Sequence, residues 1–154
     1  MTEAREAIQD LYDFYVDALD GGEWERWPEL FTEVCRYEVV PRENFDRGLP
    51  LALIRCESRA MLRDRVQALR RTSMYAPHYL RHVVSHPRVR ADGDHWRVRA
   101  NVAVFQTRVD APTEILAVGR YEDLVVREGD RFLFRERICV LDSELVPNSL
   151  VVPI

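Results

Sequence analysis

With 154 residues, 47% hydrophobic and 31% charged side chains, the chain has the length and composition of one globular domain, assigned to residues 1–154. A net charge of −4 argues against a nucleic-acid surface, and no apolar run approaches the ~20 residues of a membrane span. The opening residues Met1-Thr-Glu-Ala-Arg-Glu6 lack a signal-peptide core, so a cytoplasmic location is expected.

Helical periodicity runs from about Glu3 to Leu19, with Ala4, Ile8, Leu11, Tyr15 and Leu19 in one stripe and Gly21-Gly22 as the stop. A short helix with a heavily apolar side (Trp24, Trp27, Leu30, Phe31) is expected over residues 23–31, then a strand from Thr32 to Val40. Residues 42–50 read as a loop and Leu51 to Arg55 as a short strand. A third helix spans about Ser58 to Arg71, with Ser58 as N-cap, Leu62, Val66 and Leu69 on its apolar face, and Arg59, Arg63 and Arg70 on a basic one.

Beyond Tyr79 the period changes to two. Strands are expected from Arg81 to Arg90, His95 to Val109, Glu114 to Arg127 and Arg131 to Leu141, with turns at 91–94, 110–112 and 128–130. In the last strand Phe132, Phe134, Ile138 and Val140 fall on one side, and Leu133, Arg135, Arg137, Cys139 and Leu141 on the other. An apolar tail follows (Leu150, Val151, Val152, Ile154); since termini fray unless held, it predicts a docking surface, on a partner subunit as an assembly element or, as the rival reading, over the mouth of its own cone. Three N-terminal helices before a long antiparallel meander give the α+β class. Strands this long must curl, which points to the cone-shaped, cystatin-like fold of nuclear transport factor 2, scytalone dehydratase and ketosteroid isomerase.

The chemistry is bounded mainly by what is missing. A Rieske cluster needs paired Cys and His ligands, and none of Cys35, Cys56 and Cys139 has the spacing; buried, reduced thiols are expected instead. Of the four histidines, His78, His82, His86 and His95, the pair His82 and His86 would lie roughly 13 Å apart on a strand, too far to share an ion. No metal site and no bound cofactor are therefore expected. The one enzyme-like constellation is His82 as a base, with Tyr15 or Glu136 as partner, in a cone pocket; Asp17 is excluded because it faces away from the apolar stripe. A structural role for His82 is the commoner outcome.

Several segments resemble the small (β) subunits of aromatic-ring-hydroxylating dioxygenases. They are Tyr15-Val-Asp-Ala-Leu-Asp20 with Trp24-Glu-Arg-Trp27, the strand Cys35 to Val40, and the helix Met61 to Leu69. More specific are Arg81-His-Val-Val-Ser-His-Pro-Arg-Val89, which carries His86 where the family commonly has Asn, and the terminal Arg135-Glu-Arg-Ile-Cys-Val-Leu-Asp142. The resemblance implies a subunit with no catalytic residues of its own. Its partner would be an α subunit holding a Rieske [2Fe-2S] cluster and a mononuclear iron, in an α3β3 assembly with β–β trimer contacts. A ferredoxin or reductase would supply electrons from NAD(P)H, and short N-termini of this kind resemble the branch acting on terephthalate or salicylate. Trp24, Trp27, Phe45 and the tail are candidate subunit anchors, with core packing an equal alternative for both tryptophans. The alternative is a stand-alone dehydratase, isomerase or cyclase built on His82 and Tyr15.

Overall fold

A computed structural model of the chain describes residues 1–71, 78–143 and 152–154. Helix α1 (Thr2–Asp20) buries Ile8, Leu11, Tyr12, Tyr15 and Leu19 along one side, as its stripe requires. The expected second helix is instead two 3₁₀ turns, Trp24–Arg26 and Pro28–Leu30. Pro28 has no N–H for an α-helical ladder, so the segment breaks at that residue. Strand β1 (Phe31–Pro41) follows, then a short helix α2 (Arg42–Asp46) where a loop was expected, and β2 (Ile54–Ser58), which begins three residues late. Helix α3 (Arg59–Arg71) has the expected cap, the Met61 N–H donating to Ser58 Oγ at 3.2 Å.

The single strand expected from Arg81 to Arg90 is two, β3 (His78–Val84) and β4 (Arg88–Asp92). Pro87 lies between them and cannot donate to a ladder, which explains the break. Both strands pair with β5 (His95–Arg108), and β6 (Glu114–Glu128) and β7 (Arg131–Leu141) complete the sheet in the order β2-β1-β7-β6-β5-β3. The sheet is mixed rather than wholly antiparallel, because β1 runs parallel to β7. Gly119 is required where β6 meets β7: a Cβ there would lie 1.9 Å from the Val140 carbonyl oxygen.

One irregularity redirects the terminal strand. In the β6–β7 ladder Leu124 pairs with Glu136 and Val125 with Phe134, which leaves Arg135 as a bulge. Alternation therefore changes phase. Phe134 faces the core before the bulge, and Arg137, Cys139 and Leu141 face it afterwards. Ile138 and Val140 turn to the outer face and pack with Val40 in a separate cluster near α2. The expected grouping of Phe132 and Phe134 with Ile138 and Val140 fails for this reason.

The basic side of α3 is an internal clamp. Arg59 donates to the Phe31 carbonyl oxygen, Arg63 pairs with Glu29 at 2.7 Å, and Arg70 pairs with Glu25 at 2.7 Å while its guanidinium lies 4.2 Å over the Trp24 ring. Trp27 is wholly buried and so is not available as a subunit anchor. All three cysteines are free and buried, as expected.

The end of the tail also corrects an expectation. Val152 and Ile154 are 4% and 1% exposed, inside the same core as α1 and the sheet. The Tyr15 hydroxyl donates to the Ile154 main-chain oxygen at 2.5 Å, with Tyr37 at 3.2 Å and the Cys139 thiol at 3.3 Å; the Ile154 N–H in turn donates to the Tyr37 hydroxyl at 3.1 Å. This part of the tail is a plug for its own cone and not an assembly element; Leu150 and Val151 lie outside the described residues. Buried hydroxyls need partners, and the returning backbone supplies them. Replacing Ile154 by Ala is expected to lower monomer stability by about 2–4 kcal/mol. Urea denaturation checks this, and an unchanged midpoint would return the tail to an assembly role.

Candidate functional site

Two clusters of polar side chains stand out, one inside the cone and one at its rim. At the centre the bulge points Arg137 inward, where it is fully buried. Its Nε and Nη2 donate to the two Asp123 carboxylate oxygens at 3.0 and 2.6 Å, and the Tyr12 hydroxyl donates to the same carboxylate. Four aromatic rings enclose the guanidinium, with its carbon 3.8 Å from the Tyr121 centroid, 4.0 Å from Phe134, 4.2 Å from Tyr15 and 4.5 Å from Tyr12. A desolvated cation over several ring faces gains on the order of 2 kcal/mol or more. That offsets part of the cost of removing it from water.

Burial sets the titration of this cluster. It would depress the Arg137 guanidinium, but the adjacent Asp123 carboxylate more than offsets that and holds it charged. Tyr12, Tyr37 and Tyr121 are pushed well above the ordinary tyrosine value, first by burial, and the Cys139 thiol is pushed up to about 12 by the same cause. These groups stay neutral at physiological pH. They are hydrogen-bonding and packing elements.

At the rim, His82 on β3 faces inward beneath the end of α1. Its Nδ1 lies 2.6 Å from Asp20 Oδ1, and its main-chain N–H donates to Asp20 Oδ2 at 2.8 Å. His82 Nε2 is buried with no hydrogen-bond partner among the described residues. Beside Asp20 is a cleft of about 590 Å³, lined also by Trp24, His78, Tyr79, Leu80 and Val152.

The expected partners of His82 were therefore wrong. Tyr15 is committed to Ile154, and Glu136 lies on β7 facing Arg36 across the β1–β7 pair. Asp17 is exposed, as its position on the helix dictates. Asp20 gave no periodic signal: it follows Leu19 directly and, at 100° per residue, lies roughly 140° from the mean direction of the buried stripe, much as Asp17 does. Arg137 and Asp123 carried no such signal, because the bulge that turns Arg137 inward has no sequence mark. Among the described residues, no three His, Cys, Asp or Glu side chains converge as a metal-binding group.

Comparison with known proteins places this geometry. Residues 1–138 match the SnoaL-like domain family. The chain is 39% identical to the small subunit of anthranilate 1,2-dioxygenase from Burkholderia cepacia, across 96% of this chain and 92% of that one. It is 31% identical to the β2 subunit of the terminal oxygenase component of terephthalate 1,2-dioxygenase from Comamonas sp., across 91% and 92%. A crystal structure from Novosphingobium aromaticivorans DSM 12444, assigned as the β subunit of an aromatic-ring-hydroxylating dioxygenase, superimposes with a TM-score of 0.90 at 38% identity, covering 99% of this chain and 98% of that one.

Removing one partner of the central pair exposes its role. Asp123→Asn leaves a buried guanidinium without its counter-charge and is expected to cost about 3–5 kcal/mol. Chemical denaturation measures it; a loss below 1 kcal/mol would mean that the aromatic rings alone hold Arg137.

Proposed function

The chain belongs to the small (β) subunit family of aromatic-ring-hydroxylating dioxygenases, and on that premise we propose that it is the structural subunit of a terminal oxygenase for a carboxylated aromatic ring. The observation that carries the reading is the 39% identity along nearly the whole chain to the small subunit of anthranilate 1,2-dioxygenase. Both named relatives belong to enzymes named for anthranilate and terephthalate, each of which carries a ring carboxylate, and this favours the same class here.

In this reading the Rieske cluster and the mononuclear iron belong to the α subunit, which hydroxylates the ring with O2 and electrons from NAD(P)H through a reductase or ferredoxin. The present chain contributes surfaces. Its rigid cone, plugged by Ile154 and pinned by Arg137, holds α subunits in register in an α3β3 assembly in the cytoplasm, with β–β contacts at its centre. Obligate interfaces of this kind bury thousands of square ångströms, which needs a scaffold that does not deform. Phe45, 37% exposed, and the partly buried Trp24 remain available as anchors, unlike Trp27.

The second reading, a stand-alone dehydratase or isomerase, is favoured by one observation only, the His82–Asp20 pair beside its cleft. One experiment separates the two. Co-expressed with an oxygenase large subunit of the family, the chain is expected to co-purify with it, and O2 uptake on an aromatic acid is expected only from the complex. A large subunit fully active without this chain overturns the proposal. His82→Ala in the reconstituted complex is expected to retain most of the turnover, whereas loss of a true general base costs on the order of 10²–10⁴ in rate. A loss of that size in a correctly assembled complex would favour the pocket reading.

A further inference from the structure

The outer face of the sheet carries an arrangement that is unfavourable for an isolated chain. In the β4–β5 ladder Arg88 lies directly opposite Arg99, and Arg90 opposite Arg97. Arg97 and Arg99 alternate with the buried Val98 and Ala100, so all four guanidinium stems project from the face away from the core. Like charges directly opposite on a sheet destabilise it. Together with Arg36 and Phe45 they line a recess of about 570 Å³. Local acids answer only part of this charge. Glu122 binds Arg99 at 2.7 Å and Arg120 at 2.8 Å, Arg97 reaches Asp92 at 3.2 Å, and Arg36 reaches Glu38 at 2.9 Å and lies opposite Glu136. Arg88 and Arg90 form no ion pair with any described residue.

The opposite side of the same molecule carries the complement. Along α1 the residues Glu3, Glu6, Asp10, Asp13 and Asp17 are all exposed, at spacings of three and four. Like charges at those spacings destabilise a helix by roughly 0.2–0.5 kcal/mol per pair. The stripe lies away from Ile8, Leu11 and Tyr15, which face the sheet, so it points away from the arginine face. Within it stands Phe14, 51% exposed, one turn from Asp10 on one side and from Asp17 on the other.

We infer that the arginine recess of one copy receives the acidic stripe of a second copy, with Phe14 entering the recess between Arg88 and Arg90. Both surfaces are costly apart and complementary together. Exposed ion pairs by themselves contribute only about 0–1 kcal/mol each, so charge alone would not hold such a contact. An aromatic ring among desolvated guanidinium groups, with carboxylates on both flanks, supplies the apolar area and the cation–π term that charge lacks. Because the two surfaces differ and lie on opposite sides, the contact is head-to-tail and closes into a ring where the rotation permits. The inference gives residues to the β–β contact of the proposed assembly, yet its test needs no large subunit.

Sedimentation equilibrium of the chain alone is the test, at low and at high salt. The wild type is expected to self-associate, and to do so more weakly as salt rises. Arg88→Glu with Arg90→Glu, and separately Asp10→Arg with Asp17→Arg, are expected to weaken association by roughly tenfold or more. Combining all four substitutions in one chain is expected to restore it, because every copy then offers the complement of its neighbour. Phe14→Ala, which keeps every charge, is expected to weaken association too. A wild type that stays monomeric at every salt concentration overturns the inference, as does an oligomer indifferent to both reversals. If the reversals abolish capture of a large subunit but leave self-association intact, the face belongs to that partner and the inference also fails. Failure of the wild type to bind any large subunit, with self-association behaving as described, would instead count against the structural-subunit reading alone.

Discussion

A fully buried guanidinium organises the centre of this fold. Arg137 can sit there only because three provisions coincide: a carboxylate that takes two of its donors, a hydroxyl that holds that carboxylate, and rings that cover its faces. These provisions come from separate elements. Tyr12 and Tyr15 are on α1, Tyr121 and Asp123 on β6, and Phe134 on β7. The cluster therefore measures whether helix and sheet have docked in the right register. A one-residue slip of β7 would turn Arg137 to the outer face and bring a neighbour inward. Buried ion pairs are poor sources of net stability, but a pair whose loss strands a charge penalises every alternative packing. That property specifies one packing rather than adding net stability.

The plug follows from the same constraint. A cone wide enough to hold Arg137 and its rings leaves buried hydroxyls on Tyr15 and Tyr37 beyond the reach of Asp123. The returning residues Val152 to Ile154 fill the remaining width with side chains and meet those hydroxyls with a main-chain oxygen and N–H. Ile154 thus closes the interior between Tyr15 and Tyr37. Cys139 contributes a thiol to the same oxygen, and burial keeps that thiol protonated and inert.

How far this was legible in the sequence depended on whether a feature was periodic. The amphipathic stripe of α1, the cap at Ser58 and the long strands β5 to β7 all follow from side-chain spacing, and so did the fold class. The break at Pro28 and the gap at Pro87 each turn on one proline, whose effect is local and readable. The bulge at Arg135 was not readable, since neither Gly nor Pro marks it and the strand alternates smoothly on both sides. Its consequence was large: it moved a charged residue into the core and two aliphatic ones out of it. Asp20 is not legible either, because helical periodicity puts it on the side away from the stripe and only its place at the end of α1 brings it to β3. The tail was read as apolar and in need of cover, which is correct, but sequence alone does not say whose surface covers it.

The His82–Asp20 pair also meets a structural need. Asp20 is the last residue of α1, where the unpaired carbonyl groups disfavour a carboxylate. Both of its oxygens are met by one residue of β3, through a main-chain N–H and a ring nitrogen. β3 is the last strand in the order of the sheet, and an edge strand needs something to fix it in place. Tying it to the end of α1 through one bidentate contact serves both elements at once. Tyr15 is engaged in the same way with Ile154, and Tyr12 with Asp123. In a free-standing cone enzyme such groups would have to face an open pocket with their protons exchangeable. Tyr12 and Tyr15 are buried and join α1 to other segments, which stiffens the cone, whereas Asp20 also lines the cleft beside His82.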